Sequence, residues 1–259
     1  MIPSFQRHFD ACRNFTPPGD RMALCIAGDR VGWVAPHVAA ALRDDASMAV
    51  EGDAITLRDP ADLPGIAFAL AQRGLFRHRG EAFDVRAEPG GPVLTTIDRG
   101  ALPAFGIRAE GMHLNGLVRR ADGLHVWVAR RAADKALDPG KLDHIAAGGI
   151  SAGMDAWETL IKESAEEAAI PAGLAAGAVK TAEIEYSMLR AEGLRRDLLH
   201  CYDLDLPEDF LPVAADGEVE SFELWPIARL YEAVRDTGDF KFNVNLVLID
   251  LFRRLGMRV

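Results

Sequence analysis

The sequence predicts an α/β protein in two parts, a small α+β unit over residues 1–92 and a larger α/β unit over residues 93–259. Three observations carry this. Short runs in which apolar residues alternate with period two recur between runs of helical period. The turn-rich stretch EPGGP, residues 88–92, separates the two groups of runs. Of the 259 residues, 49% are hydrophobic, enough for one large core or two small ones.

In chain order, MALCIAGDRVGWV predicts two short strands, residues 23–27 and 31–34, about a Gly-Asp turn. APHVAAALRDD predicts a short helix, and MAVEGDAITL repeats the hairpin pattern about Gly52-Asp53. In RDPADLPGIAFALAQRGLF, Asp59 is placed to cap, Pro60 to occupy the first helical position and Gly74 to stop the helix. Beyond residue 101, GMHLNGLVRR and LHVWVARRA form a strand pair turning at Asp122-Gly123. ADKALDPGKLDHIAAGG is polar and turn-rich and is expected to be a long loop. A helix follows over ETLIKESAEEA, then strands in VKTAEIEYSML, DLLHCYDLDL and ESFELWPI. Helices over residues 227–235 and in VNLVLIDLFRRLG close the chain, the last stopped by Gly256.

A net charge of -10 argues against a duplex nucleic acid as partner, so no nucleic-acid role is expected. No apolar run reaches the 18 or so residues of a membrane span, and the first 20 residues are too polar for a signal peptide. Cys12, Cys25 and Cys201 are an odd number without metal-like spacing, which fits a reduced, cytoplasmic protein. Cys201 lies in an alternating strand and is expected in the core rather than as a nucleophile. Trp33 and Trp225 are expected to be packing residues.

The stretch AAGGISAGMDAWETLIKESAEEAAI, residues 146–170, concentrates the chemistry. At about 100° per residue, Glu163, Glu166 and Glu167 share an arc of about 100° on one helix. The small residues Ala156 and Thr159 fall in the same sector, while Trp157, Leu160, Ile161, Ser164 and Ala168 face a core. Lys162 is set to pair with Glu158 at i,i+4. Like charges at these spacings cost a helix roughly 0.2–0.5 kcal/mol per pair, and a bound cation offsets that cost. Gly148, Gly149 and Gly153 let the preceding loop turn tightly and bring backbone groups to a ligand. Clustered carboxylates beside such a loop suit a hard divalent cation and a phosphate substrate. A plain solvated acidic face is the other reading of the same residues.

The stretch resembles the Nudix box, G-x(5)-E-x(7)-R-E-U-x-E-E-x-G-U with U a bulky aliphatic. Aligned on Gly148, Lys162 and Glu163 fall on the R-E pair, Glu166 and Glu167 on the E-E pair and Ile170 on the last aliphatic. Met154, Ser164 and Ala169 depart from the pattern, and Lys162 keeps the charge of the Arg without its fork. Together with VGWV, HLNGLV, LHCYDLDLPEDF, DGEVESFELWPI and FKFNVNLVLIDLFRR, the chain is similar to the thiamin-pyrophosphokinase-related Nudix proteins, which carry an N-terminal accessory domain. In that subfamily a Glu at Glu158 and a Lys at Lys162 are ordinary.

The resemblance implies a Nudix αβα sandwich with a mixed sheet. It implies metal-dependent hydrolysis of a small-molecule diphosphate linked to another moiety, with thiamin diphosphate and its oxidised or oxo analogues, cleaved to the monophosphate, as leading substrates. Mg²⁺ or Mn²⁺ is then the cofactor, with Glu163, Glu166, Glu167 and the Gly148 backbone as ligands and Gly149 and Lys162 as structural members of the box. Asp216 and Glu218 lie on a loop where related enzymes place a further metal contact or a base; a plain acidic turn is the alternative. Lys135 and Arg196 are candidate phosphate contacts, or ordinary surface charges. His113 and Asn115 alternate on one strand face and are expected as a satisfied pair at the core edge. Other functions are a nucleoside diphosphate derivative hydrolase and a non-catalytic Nudix-fold binding module; a homodimer is compatible with each. A kinase-like transferase is disfavoured, because no G-x(4)-G-K-[ST] loop is present.

Overall fold

The computed structural model describes residues 2–43, 45–135, 137–215 and 217–259, so Asp216 lies outside the described residues. Helix α1 (Pro3–Cys12) opens the chain with a proline at its start, where the missing N–H is not needed. Strands β1 (Met22–Ile26) and β2 (Asp29–Val34) form the first expected hairpin, and helix α2 (Pro36–Leu42) follows. Strands β3 (Met48–Glu51) and β4 (Ala54–Leu57) form the second. The four make a sheet in the order β2-β1-β4-β3, with β1 and β4 parallel. The Asp59 carboxylate accepts from the Ala61 N–H and caps the turn that leads into helix α3 (Leu63–Gln72).

Strands β5 (Ala82–Val85) and β6 (Thr95–Asp98) form a two-stranded sheet, and residues 88–92 lie in their connection. The turn signal there marks a hairpin whose short strands the sequence reading did not assign. The one-turn helix α4 (Leu102–Phe105) leads into the large sheet.

That sheet contains β7 (Arg108–Arg120), β8 (Gly123–Arg131), β9 (Leu142–Asp143) and β10 (Ala146–Gly149). Helices α5 (Ala156–Ala168) and α6 (Ala172–Ala175) follow. Strands β11 (Val179–Arg190), β12 (Gly193–Asp205) and β13 (Val219–Pro226) complete it, and helices α7 (Ile227–Asp236) and α8 (Val244–Arg254) close the chain. The strand order is β11-β12-β7-β8-β13. The sheet is mixed, because β7 and β12 run parallel while the other pairs are antiparallel.

Residues 112–118 of β7 are buried without a break, the signature of a strand covered on both faces. Met112, Leu114 and Val118 pack with Leu160 and Ala168 of α5 on one side. Leu117, with Leu199 and Cys201 of β12, packs with α1, α7 and α8 on the other. The result is a three-layer αβα sandwich. Phe5, Phe9 and Cys12, at helical spacing on α1, seat that first helix in the far layer against α8.

The long loop expected over residues 133–149 is a correction, because it carries β9 and β10. Strands β7 and β8 pair with each other only over residues 117–120 and 123–126 and then separate. β10 takes the freed edge of β7, and β9 that of β8. The pairing of Gly148 with Met112 and of Gly149 with Gly111 runs through backbone alone, so no side-chain alternation announced the strand.

Candidate active site

The carboxylate helix α5 is fixed first at its N-terminus. Asp155 accepts from the N–H groups of Trp157 and Glu158, both at 2.8 Å, and Glu158 returns a bond from the Asp155 N–H at 3.0 Å. This capping box contributes on the order of 1 kcal/mol. It also corrects the expected Glu158–Lys162 pair: Glu158 is committed to the cap, and Lys162 turns the other way. The Lys162 Nζ lies 3.0 Å from Glu163 Oε1 and 2.9 Å from Glu166 Oε2. The two carboxylates hold its ammonium above the ordinary lysine range.

The core face holds as expected for Leu160, Ser164 and Ala168. Two residues differ. Thr159 is buried, with its hydroxyl donating to the Asp155 carbonyl at 2.8 Å, rather than lining an open face with the carboxylates. Trp157 is 40% exposed. It stands on the first turn of α5, beside Tyr202 of β12, and lines an open cleft.

Glu163 lies against the Gly loop. A Cβ at Gly148 would sit 2.5 Å from both Cγ and Cδ of Glu163, so glycine is what lets Glu163 lie in this position against β10. A Cβ at Gly149 would sit 2.6 Å from the Phe83 ring. Glu167 is buried, and its Oε2 accepts from the Ala147 N–H at 2.8 Å. Burial, with the charges of Asp143 and Glu163 adding to it, pushes the Glu167 carboxyl up to about 8, against the pull of the Ala147 N–H and Lys135. Glu166 is half-exposed at the rim. Lys135 is paired with Glu218, and the Ala132 N–H donates to the Glu218 carbonyl at 3.0 Å, which ties the approach to β13 to the end of β8.

Thus Glu163, Glu166, Glu167, Gly148 and Lys162 come together; Lys135 acts on the Glu167 charge, and Glu218 is linked to the cluster through its pair with Lys135. Arg196 does not join them: its guanidinium donates to the Gly106 carbonyl at 3.2 Å, at the junction with α4. Asp216 lies outside the described residues.

The tightest gathering of ligand-type atoms among the described residues is elsewhere. Those of His113, Asp143 and His144 lie within 4.8 Å of one another. Asp143 is already neutralised there, with Arg131 Nη1 at 2.7 Å and Lys241 Nζ at 3.3 Å on the same oxygen. Burial raises its carboxyl, but Lys241, the His144 hydrogen bond and Arg131 outweigh this and hold it well below the usual range. The Nδ1 atoms of His113 and His144 are 2.9 Å apart, and burial keeps both rings on the neutral side. A divalent cation would have two cations as neighbours, so these residues fit a buried polar clamp better than a metal centre. His113 and Asn115 do not form one pair, since Asn115 instead donates to Asp203 at 2.8 Å.

The three glutamates fit a metal better. They offer hard oxygen donors beside a cradle that a Cβ would fill, with one buried carboxyl whose charged form is disfavoured for want of a countercharge. They are not drawn to one point here, because Lys162 stands between Glu163 and Glu166 and Glu167 is turned to Ala147.

Comparison with known proteins finds a family and relatives. The profile of the NUDIX domain matches residues 114–244. Nudix hydrolase 20, chloroplastic, of Arabidopsis thaliana is 37% identical over 88% of the chain, which spans 58% of that protein's length. Nudix hydrolase 24, chloroplastic, of the same plant is 34% identical over 99% of the chain and 74% of its own length. Among solved structures, the NUDIX domain of Shewanella oneidensis NrtR complexed with ADP ribose is 15% identical, with TM-score 0.47 over 59% of this chain and 91% of that one. The matched domain and the extent of the plant relatives place the protein in the Nudix family.

Proposed function

We propose that the protein is a metal-dependent pyrophosphohydrolase acting on a small-molecule diphosphate linked to another moiety. The observation that carries this is the Glu163–Glu167 arrangement: two carboxylates on one helix turn, one packed on Gly148 and one buried and anchored by Ala147. Glu163, Glu166 and Glu167 would hold Mg²⁺ or Mn²⁺, and the Gly148 backbone would lie beside it. A divalent cation held there neutralises phosphate oxygens and acidifies a water.

The chain's own groups do the rest. The Ala147 N–H fixes one oxygen of Glu167 and so orients the other. Lys162 holds Glu163 and Glu166 at a common edge. To Glu218 we assign the proton of the attacking water and to Lys135 a phosphate oxygen, a reading supported by their pairing with each other and by the influence of Lys135 on Glu167. Arg196 would serve substrate only by leaving Gly106.

Thiamin diphosphate and its oxidised or oxo analogues are the substrates we put first, on sequence likeness alone; nucleoside diphosphate derivatives come second. We place the chain in a reducing, cytoplasm-like compartment, a reading supported by three unpaired cysteines. The test is a panel of both substrate classes with Mg²⁺ and with excess EDTA, with products identified. Hydrolysis to a monophosphate, lost in EDTA and reduced about 10²–10⁴-fold in Glu166→Gln, is expected. Full turnover in EDTA, or no turnover of any diphosphate, would remove the proposal and favour a binding module.

A further inference from the structure

A cleft of ≈ 530 Å³ opens where the N-terminal segment meets the Nudix sheet. Its walls come from two sources. Met154 and Trp157 belong to the loop and first turn of α5, and His200 to β12. Phe83, Arg86 and Glu110 precede residue 114, where the matched family region begins. The β5–β6 hairpin is fastened to the Gly loop: the Ala152 N–H donates to the Ala82 carbonyl at 2.7 Å, and Ser151 Oγ donates to Glu81 at 2.9 Å. Phe83 is thereby pressed on Gly149. Resting on the function proposed above, we infer that this cleft takes a planar heteroaromatic ring of the substrate, and that the β5–β6 hairpin makes it specific.

Three features select a ring. Trp157, on the first turn of α5, keeps 40% of its surface exposed at the cleft, while Phe83 is a nearly buried part of the opposite wall. Met154 adds a polarizable thioether where the Nudix pattern has a glutamate, and such a group favours aromatic contact. The polar edge is read by Glu110. Its Oε2 lies 2.7 Å from His200 Nε2, and its other oxygen has no hydrogen bond among the described residues, so it accepts an N–H from the ring. The cleft adjoins the box through α5, whose first turn carries Trp157 and whose later turns carry the carboxylates, and through Gly149, on which Phe83 is packed.

The experiment is calorimetric titration in EDTA with four probes: AMP and thiamin monophosphate, which carry rings, and ribose 5-phosphate and inorganic phosphate, which do not. Turnover is absent, so the result is independent of the hydrolase reading. At least one ring-bearing probe should bind at least about 10-fold tighter than ribose 5-phosphate, the scale of one aromatic stacking contact. Trp157→Ala and Phe83→Leu should each weaken that probe by about 10-fold and leave ribose 5-phosphate unchanged. Glu110→Gln should alter the preference between the two rings. Trp157 is exposed and alanine suits a helix, so Trp157→Ala keeps the test sharp if Phe83→Leu does not fold. Failure of both ring-bearing probes to bind, or parent-like binding by Trp157→Ala, overturns the inference. Ring binding without hydrolysis in Mg²⁺ would instead overturn the proposed function and leave this one standing.

Discussion

Glu167→Gln isolates the electrostatic cost stored at the carboxylate helix. In the folded chain the Glu167 carboxyl is pushed from 4.5 to about 8, first by burial and then by Asp143 and Glu163. A carboxyl raised by folding gives stability that is complete below the unfolded value and lost as pH climbs through the folded one. Each unit is 1.36 kcal/mol, so the metal-free protein should lose about 3 kcal/mol by pH 7 and about 4 kcal/mol by pH 8 through this group. Glutamine keeps the shape and the acceptor for the Ala147 N–H but does not titrate. Urea unfolding in EDTA at pH 5, 6, 7 and 8 gives the difference between variant and parent directly. It should be about 1 kcal/mol at pH 5 and grow to about 3 kcal/mol in favour of the variant at pH 7. Millimolar Mg²⁺ should close the gap by stabilising the parent alone. A difference that stays flat from pH 5 to pH 8 would refute the reasoning, because it would show that Glu167 carries no unpaired buried charge.

Gly148→Ala would place a Cβ 2.5 Å from the end of the Glu163 side chain, so Glu163 must swing away; Mg²⁺ affinity by calorimetry and hydrolysis should both fall by about 100-fold, with little change in stability. Ala169 ends α5 at φ 54, a left-handed position that costs a non-glycine residue roughly 1–2 kcal/mol, so Ala169→Gly should raise Tm with activity unchanged. Burial pushes the thiols of Cys12 and Cys201 up to about 12, so a thiol-labelling reagent on the native protein should modify Cys25 first, and serine at all three positions should leave kcat nearly unaltered.

The sequence by itself determined what depends on local order. The 100° arc of Glu163, Glu166 and Glu167, the turn at Asp122-Gly123 and the stop at Gly74 follow from helix period and turn chemistry, and the fold carries all three. The Nudix box was legible for the same reason: its members lie within 23 residues, 148–170, of one loop and one helix. The partners of those residues were not legible. Whether Lys162 turns to Glu158 or to Glu166 depends on the capping box taking Glu158, and local spacing permits both.

Only the tertiary structure decided that Glu167 is buried while Glu166, its neighbour, is half-exposed, because β10 covers one side of α5 and not the other. β10 itself escaped sequence reading, since glycines pair through backbone without leaving a side-chain pattern. The cleft is the extreme case. Phe83 and Trp157 are 74 positions apart in the sequence, and nothing in either segment marks the other as its neighbour. They meet because the β5–β6 hairpin is hydrogen-bonded to the loop ahead of α5, a long-range closure set by packing and not by any local preference.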